Sequence, residues 1–169
     1  VIYSGNVNAF TIYAESTPNP SVMKFVCNKR LVNISHEFKK IDETEHCNIA
    51  KALFLHDFIS EVYIDLNFIS ITIKEDYRWE NHTMEIREFI LSYIKGGNEL
   101  IDSKVDKAKS TNKAIEEKNL DEISLKISEL IETQIKPAVA SDGGNILFQS
   151  YDKNTQEVNV ILQGACSGC

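Results

Sequence analysis

Hydrophobic positions along the chain change their period several times, and each change marks an element. Phe10-Thr11-Ile12-Tyr13-Ala14 and Val22-Met23-Lys24-Phe25-Val26 have strand composition, and the turn-rich Ser16-Thr17-Pro18-Asn19-Pro20 between them predicts a hairpin with a long turn. From Thr44 or Glu45 to Leu55, the residues Ile49, Ala50, Leu53 and Phe54 fall at helical spacing. Phe58 to Lys74 is dominated by β-branched and aromatic residues; within it Ile69, Ile71 and Ile73 alternate with Ser70, Thr72 and Lys74. That alternation predicts a half-buried strand with its Ser/Thr/Lys face in water. From about Asn81 the period lengthens again: Ile86, Phe89, Ile90, Tyr93 and Ile94 recur every three to four positions, and Gly96-Gly97 supplies a helix stop. Strands and two helices predict one closed α+β unit over residues 1–98.

The rhythm then lapses. Residues 99–118 read as a charged linker, because Lys, Glu, Asp, Ser and Asn dominate from Asp102 to Lys118 and little there can be buried to offset backbone entropy. Asn119 with Glu122 reads as an N-cap and capping-box acid, followed by Ile123, Ile127, Leu130, Ile131 and Gln134 on one helical face. Pro137 is expected to kink or end that helix within about a turn. Asp142-Gly143-Gly144 makes a tight reversal, and Ile146 to Tyr151 with Val158 to Leu162 reads as a hairpin around Asp152-Lys153-Asn154. Residues 119–169 therefore form a second small unit, and the fold class is α+β, two small α+β domains joined by a charged linker.

Composition narrows the function. The 169 residues are 43% hydrophobic and 25% charged, as in an ordinary globular protein. A net charge of -7 repels a phosphate backbone and no Lys/Arg-rich stretch carries interleaved aromatics, so nucleic acid is not an expected partner. No apolar run approaches the roughly 20 residues that cross a bilayer, so no membrane is expected either. Val1-Ile2-Tyr3-Ser4-Gly5 has no start methionine, basic n-region or apolar h-region, so the chain reads as a fragment without a visible secretory signal.

Of the four cysteines, Cys27 and Cys47 stand alone while Cys166 and Cys169 close the sequence as Cys-Ser-Gly-Cys. One close pair argues for metal or redox chemistry in a reducing compartment rather than a disulfide scaffold. At i and i+3, on a loop leading into a helix, two sulfurs can grip one ion or cluster. Gly164 and Gly168 let the backbone approach inorganic sulfide, and amides at a helix start favour the thiolate, which is the ligand form. Zinc ribbons, thioredoxin-like redox sites and iron-sulfur carriers all use this spacing. A closed four-thiolate site needs two further ligands, for which a second copy of the molecule is the natural source, so a homodimer is expected.

Beyond that pair, Ile135-Lys136-Pro137, Ala140, Asp142-Gly143-Gly144-Asn145 and Val160-Ile161-Leu162-Gln163-Gly164-Ala165-Cys166-Ser167-Gly168-Cys169 resemble the NifU C-terminal domain of the NifU-like (Nfu) family of iron-sulfur cluster carriers. Thr17-Pro18-Asn19-Pro20 with Lys24-Phe25, Ala50-Lys51-Ala52-Leu53-Phe54, Phe68-Ile69-Ser70-Ile71-Thr72-Ile73-Lys74 and Trp79 resemble the separate Nfu N-terminal domain. The resemblance implies a 4Fe-4S cluster (2Fe-2S as the lesser form) bridged between two protomers by Cys166 and Cys169 of each. It implies delivery to apo iron-sulfur client proteins, dealings with cluster assembly factors, and no enzymatic turnover. Bacterial cytoplasm and mitochondrial matrix both fit. Cys47-Asn48 departs from the family's frequent Ser-Pro. The family also continues past the second cysteine with a helix and a strand, so the C-terminal domain is expected as an α-β-β unit ending at the CxxC loop.

Other residues carry less. Cys27 and Cys47 read as small buried hydrophobes. His36, His46, His56 and His82 are scattered and read as surface or turn residues. Asp142 reads as turn chemistry and Trp79 as core packing. Three rival functions remain at this level: a thiol-disulfide oxidoreductase, a structural zinc module, and an interaction module centred on the first domain.

Overall fold

The fold is described from a computed structural model for residues 9–107 and 121–168. The first unit is built on one antiparallel sheet of five strands: β1 (Ile12–Ser16), β2 (Val22–Cys27), β3 (His36–Phe38), β4 (Ile59–Asp65) and β5 (Phe68–Ile73), in the spatial order β1-β2-β5-β4-β3. The two hairpins are those the sequence pattern predicts. Ile12 lies opposite Cys27 and Ser16 opposite Met23, while β4 and β5 turn at Leu66-Asn67. Helices α1 (Asn48–Leu53) and α2 (Thr83–Lys95) complete it, and Gly97 at φ +73° follows α2 as the expected stop. Helix α1 begins later than the sequence suggests: a short 3₁₀ turn occupies Ile41–Glu43 and Cys47 is the N-cap.

Because side chains alternate across a pleated strand, the sheet has two distinct faces. One face carries Phe25, Cys27, Val62, Ile64, Ile69, Ile71 and Ile73, which pack with Ile49, Ala50 and Leu53 of α1 and Ile86 and Ile90 of α2. Trp79 packs edge-on to Phe25 at 5.6 Å between ring centroids, and its indole N–H donates to the Ser21 carbonyl at 2.9 Å. Packing is its role, as expected.

The second unit runs α3 (Glu122–Leu130), a π turn (Ile131–Ile135), α4 (Lys136–Ser141), then the antiparallel pair β6 (Gly144–Asp152) and β7 (Glu157–Gly164), and a 3₁₀ turn (Ala165–Gly168). The cap of α3 is Asp121, whose carboxylate accepts from the Ser124 N–H at 2.8 Å; the expected cap, Asn119, lies outside the described residues. That bond holds the Asp121 carboxyl below its ordinary pKa. Pro137 cannot donate to the preceding turn, and the chain answers by widening into the π turn and restarting as α4. Of the face expected from Ile123 to Gln134, Ile131 is buried while Ile123 and Leu130 are exposed.

Two expectations need correction. The polar face of β5 is only partly in water: Thr72 is half-buried and Lys74 exposed, but Ser70 is 2% exposed, because the second unit lies on that part of the sheet. His36 is not a surface residue either. It is buried, with Nε2 3.0 Å from Asp106 Oδ1. Asp106 also accepts from the backbone N–H groups of Asn33 and Ile34 and from the Asn33 side-chain amide. Together with buried Ile101, it holds 101–107 against the first unit. The rest of the expected linker, 108–118, lies outside the described residues. No helix among those described is long and apolar enough to cross a membrane.

Candidate functional site

The pair β6–β7 brings the two glycine-rich segments of the second unit side by side, with Gly144 opposite Gly164 in the register. Gly143 and Gly164 have φ of +83° and +64°, a conformation that costs a residue with a Cβ and costs glycine little. Lack of side chains at these points lets the cysteine turn fold down onto the reversal. A Cβ on Gly144 would stand 2.6 Å from Sγ of Cys166, and the Ala165 N–H donates to the Gly143 carbonyl at 3.3 Å. Cys166 is half-buried in this notch. Its partner in the motif, Cys169, lies outside the described residues.

Asn145 sits beside the notch. It is 1% exposed, its amide N–H donates to Gln163 Oε1 at 2.9 Å, and its own Oδ1 is buried without a hydrogen-bond partner among the described atoms. Asp142-Gly143-Gly144 thus does more than reverse the chain: it forms the floor under Cys166. Sequence reasoning assigned it only the reversal, and the missed signal was the second glycine-rich stretch, Gln163-Gly164-Ala165, whose pairing places it alongside.

The first unit supplies a wall. Gly164 donates its N–H to Glu37 Oε2 at 3.1 Å, and a Cβ there would stand 2.8 Å from Cδ1 of Tyr63. The Ser70 hydroxyl donates to the Gly143 carbonyl at 2.6 Å, and Thr17, from the Thr-Pro-Asn-Pro turn, lies against the same glycine. Lys24 donates to the carbonyls of Ala140 and Ser141 at 2.8 and 3.2 Å, at the end of α4, where a cation complements exposed carbonyl dipoles. Tyr63 is buried and donates to Asp65 Oδ2 at 2.9 Å; burial first, then the Asp65 carboxylate, pushes its hydroxyl pKa far up.

The remaining cysteines behave as their burial dictates. Desolvation pushes the Cys27 thiol up to about 12 and the Cys47 thiol up to about 11, so neither offers a thiolate near neutral pH. Among the described residues no three His, Cys, Asp or Glu side chains gather as a metal site. Cys166, at the β7 terminus, is the half-buried one among the described cysteines. A soft sulfur donor beside bare glycine backbone suits a thiophilic metal or a sulfide-containing cluster.

Two family models match the chain: residues 12–97 the one described as "Scaffold protein Nfu/NifU N terminal", and residues 127–169 the "NifU-like domain". "NifU-like protein 5, mitochondrial" of Arabidopsis thaliana is 34% identical over 160 residues, which is 94% of this chain and 57% of that protein. "NifU-like protein 4, mitochondrial" of the same plant is 32% identical over 167 residues, 98% of this chain and 58% of that protein. "NFU1 iron-sulfur cluster scaffold homolog, mitochondrial" of Drosophila ananassae is 29% identical over 168 residues, 98% of this chain and 56% of that protein. The chain therefore spans between half and two thirds of the length of these curated relatives.

Proposed function

The chain belongs to the family of Nfu/NifU scaffold proteins, and from that premise we propose that it is a carrier of iron-sulfur clusters, without catalytic turnover. Cys166 and Cys169 of one copy and the same pair of a second copy hold a 4Fe-4S cluster as cargo. The clients are apo iron-sulfur proteins. The observation that carries this reading is the seat of Cys166: a half-buried thiol at the end of β7, packed directly over the Gly144 backbone, where a Cβ would stand 2.6 Å from its Sγ. Thiolate ligands and close backbone amides are the two things a cluster needs from a protein. Two ligands per copy make a homodimer the smallest closed site, and they leave the cargo labile enough to hand over. The names of the relatives support a mitochondrial setting, for which the matrix is the compartment proposed.

A thiol-disulfide oxidoreductase is less well supported, since the cysteine turn follows an antiparallel hairpin and not a βαβ unit. Anaerobic reconstitution with iron and sulfide tests the proposal. The expected outcome is a brown dimer with about four irons per pair of chains, able to activate an apo-protein. Cys166→Ser and Cys169→Ser should each abolish stable cluster binding while Cys27 stays protected in the first unit. A chain that remains colourless and monomeric, or that purifies with stoichiometric zinc and no sulfide, overturns it.

A further inference from the structure

The open face of the first sheet carries a feature visible only once the strands are in register. Glu37 lies opposite Tyr63, Tyr63 opposite Ser70, and Ser70 opposite Lys24. These four residues form a single row across β3, β4, β5 and β2, on the face away from α1 and α2. Every member of the row meets the second unit. Lys24 donates to the carbonyls of Ala140 and Ser141 and Ser70 to that of Gly143, while Tyr63 lies against Gly164 and Glu37 accepts the Gly164 N–H.

The hydrogen bonds that this row makes to the second unit reach backbone groups, and the tightest approaches are at glycines. A Cβ on Gly143 would stand 2.8 Å from Ser70 Oγ and one on Gly164 2.8 Å from Tyr63 Cδ1. The row is thus complementary to the shape of the glycine reversal and the cysteine turn. Burial reinforces the point. Lys24, at 8% exposed, has a charged group that would otherwise keep its water, and its ammonium is also seated over the Phe68 ring, 4.6 Å from the centroid. Beside this strip Val26 and Phe68 pack with Tyr63 of the row and with Ala140. Buried polar groups whose hydrogen bonds are satisfied across the contact, beside apolar packing, have the make-up of an intramolecular docking surface.

We propose that the row Lys24–Ser70–Tyr63–Glu37 is a docking strip for the glycine reversal and cysteine turn of its own chain, and that docking restricts access to the half-buried Cys166 thiol until the two units separate. The occupant is the chain's own second unit, because these contacts run within one chain and 101–107, which precedes that unit in sequence, is itself pinned to the first by Asp106. On the cluster-carrier reading, which this extends, the docked form is the closed state. A second copy must reach the same turn to share a cluster, so undocking precedes loading and delivery.

The test is made on the reduced, cluster-free full chain, so it stands whether or not the cluster reading does. N-ethylmaleimide labelling is followed by mass spectrometry at Cys166, with Cys27 as internal control because it is buried in β2 and reports whether the first unit stays folded. Lys24→Glu sets a carboxylate against the α4 carbonyls, and Ser70→Glu places bulk and charge against Gly143 beside Lys24. Both are expected to raise the Cys166 labelling rate about tenfold or more, with Cys27 unchanged and the wild-type rate independent of protein concentration.

Equal Cys166 rates in wild type and variants, with Cys27 still protected, overturn the proposal. So does a wild-type Cys166 that labels as fast as in the denatured chain, an outcome that needs no variant and survives any failure of the variants to fold. Protection that fades on dilution overturns it too, since the occupant would then be a second copy. Should the cover hold while reconstitution yields no cluster, the docking stands and the carrier reading falls.

Discussion

The two units bury their apolar residues in opposite ways. In the first, the sheet and its two helices enclose a continuous core in which Phe25, Leu53, Ile69, Ile71, Ile86 and Ile90 are fully buried. In the second, burial is graded along the hairpin: Gly144, Asn145 and Ile146 are buried at one end, as are Gly164 and Ala165, while Val158, Val160, Ile161 and Leu162 further along β7 are exposed. The first unit is held by its own interior. The second is best enclosed where it meets the first, and that end carries the cysteine turn. The glycine reversal beneath that turn, Gly143 and Gly144, and its pairing partner Gly164 are buried there, Gly143 and Gly164 in contact with side chains of the first unit.

The contrast can be broken most forcefully in the core of the first unit. Leu53→Ala removes a fully buried side chain from α1 and is expected to cost about 2–5 kcal/mol, read as a lower urea midpoint. Cys27 should then label at lower denaturant than in wild type. Asp106→Asn comes next. It weakens a carboxylate that accepts from two backbone amides, a side-chain amide and His36, and the expected loss is about 1–3 kcal/mol at neutral pH.

That loss has a pH signature. For Asp106, burial opposes ionisation, but the hydrogen bonds from His36, Asn33 and Ile34 outweigh it and hold the folded pKa below the ordinary 3.8. A depressed carboxylate contributes its full stability above the unfolded value and loses it as pH falls through the folded one. Wild type should therefore lose this contribution below about pH 4, and Asp106→Asn should show a flatter acid limb in midpoints measured from pH 7 to 3.

Val160→Thr probes the other side of the contrast. The residue is exposed on β7, and the change should stay within about 0.5 kcal/mol; a loss comparable to Leu53→Ala would mean that a concealed interface covers this strand. The smallest effect concerns the buried thiols. Cys47, at about 11, and Cys27, at about 12, should remain unlabelled by iodoacetamide as pH rises from 7 to 8.5, since burial withholds both the thiolate and access to it.

Much of the local structure was legible because period and composition act over short range. The alternation of Ile69, Ile71 and Ile73, the helical spacing from Ile86 to Ile94, and the glycine stop at Gly97 all reappear in place. So does the hairpin that ends at the cysteine turn. Less legible were features that depend on a partner distant in sequence. His36 looked like a surface histidine because Asp106 is 70 positions away. Ser70 looked solvated because the carbonyl it binds, that of Gly143, is 73 positions away. The cap of α3 is Asp121, which binds the Ser124 N–H, and the π turn ahead of Pro137 is a feature of which the local pattern gives no notice.

By itself the sequence determined the kind of ligand atom on offer, the spacing of Cys166 and Cys169, and the glycines that keep the neighbouring backbone bare. Those are properties of residue type and short-range geometry. Only the tertiary structure decided that Lys24, Ser70, Tyr63 and Glu37 stand in one row and that the row faces the cysteine turn. Strand register and the contact between two units are set by packing across the whole molecule, and no window of adjacent residues carries them.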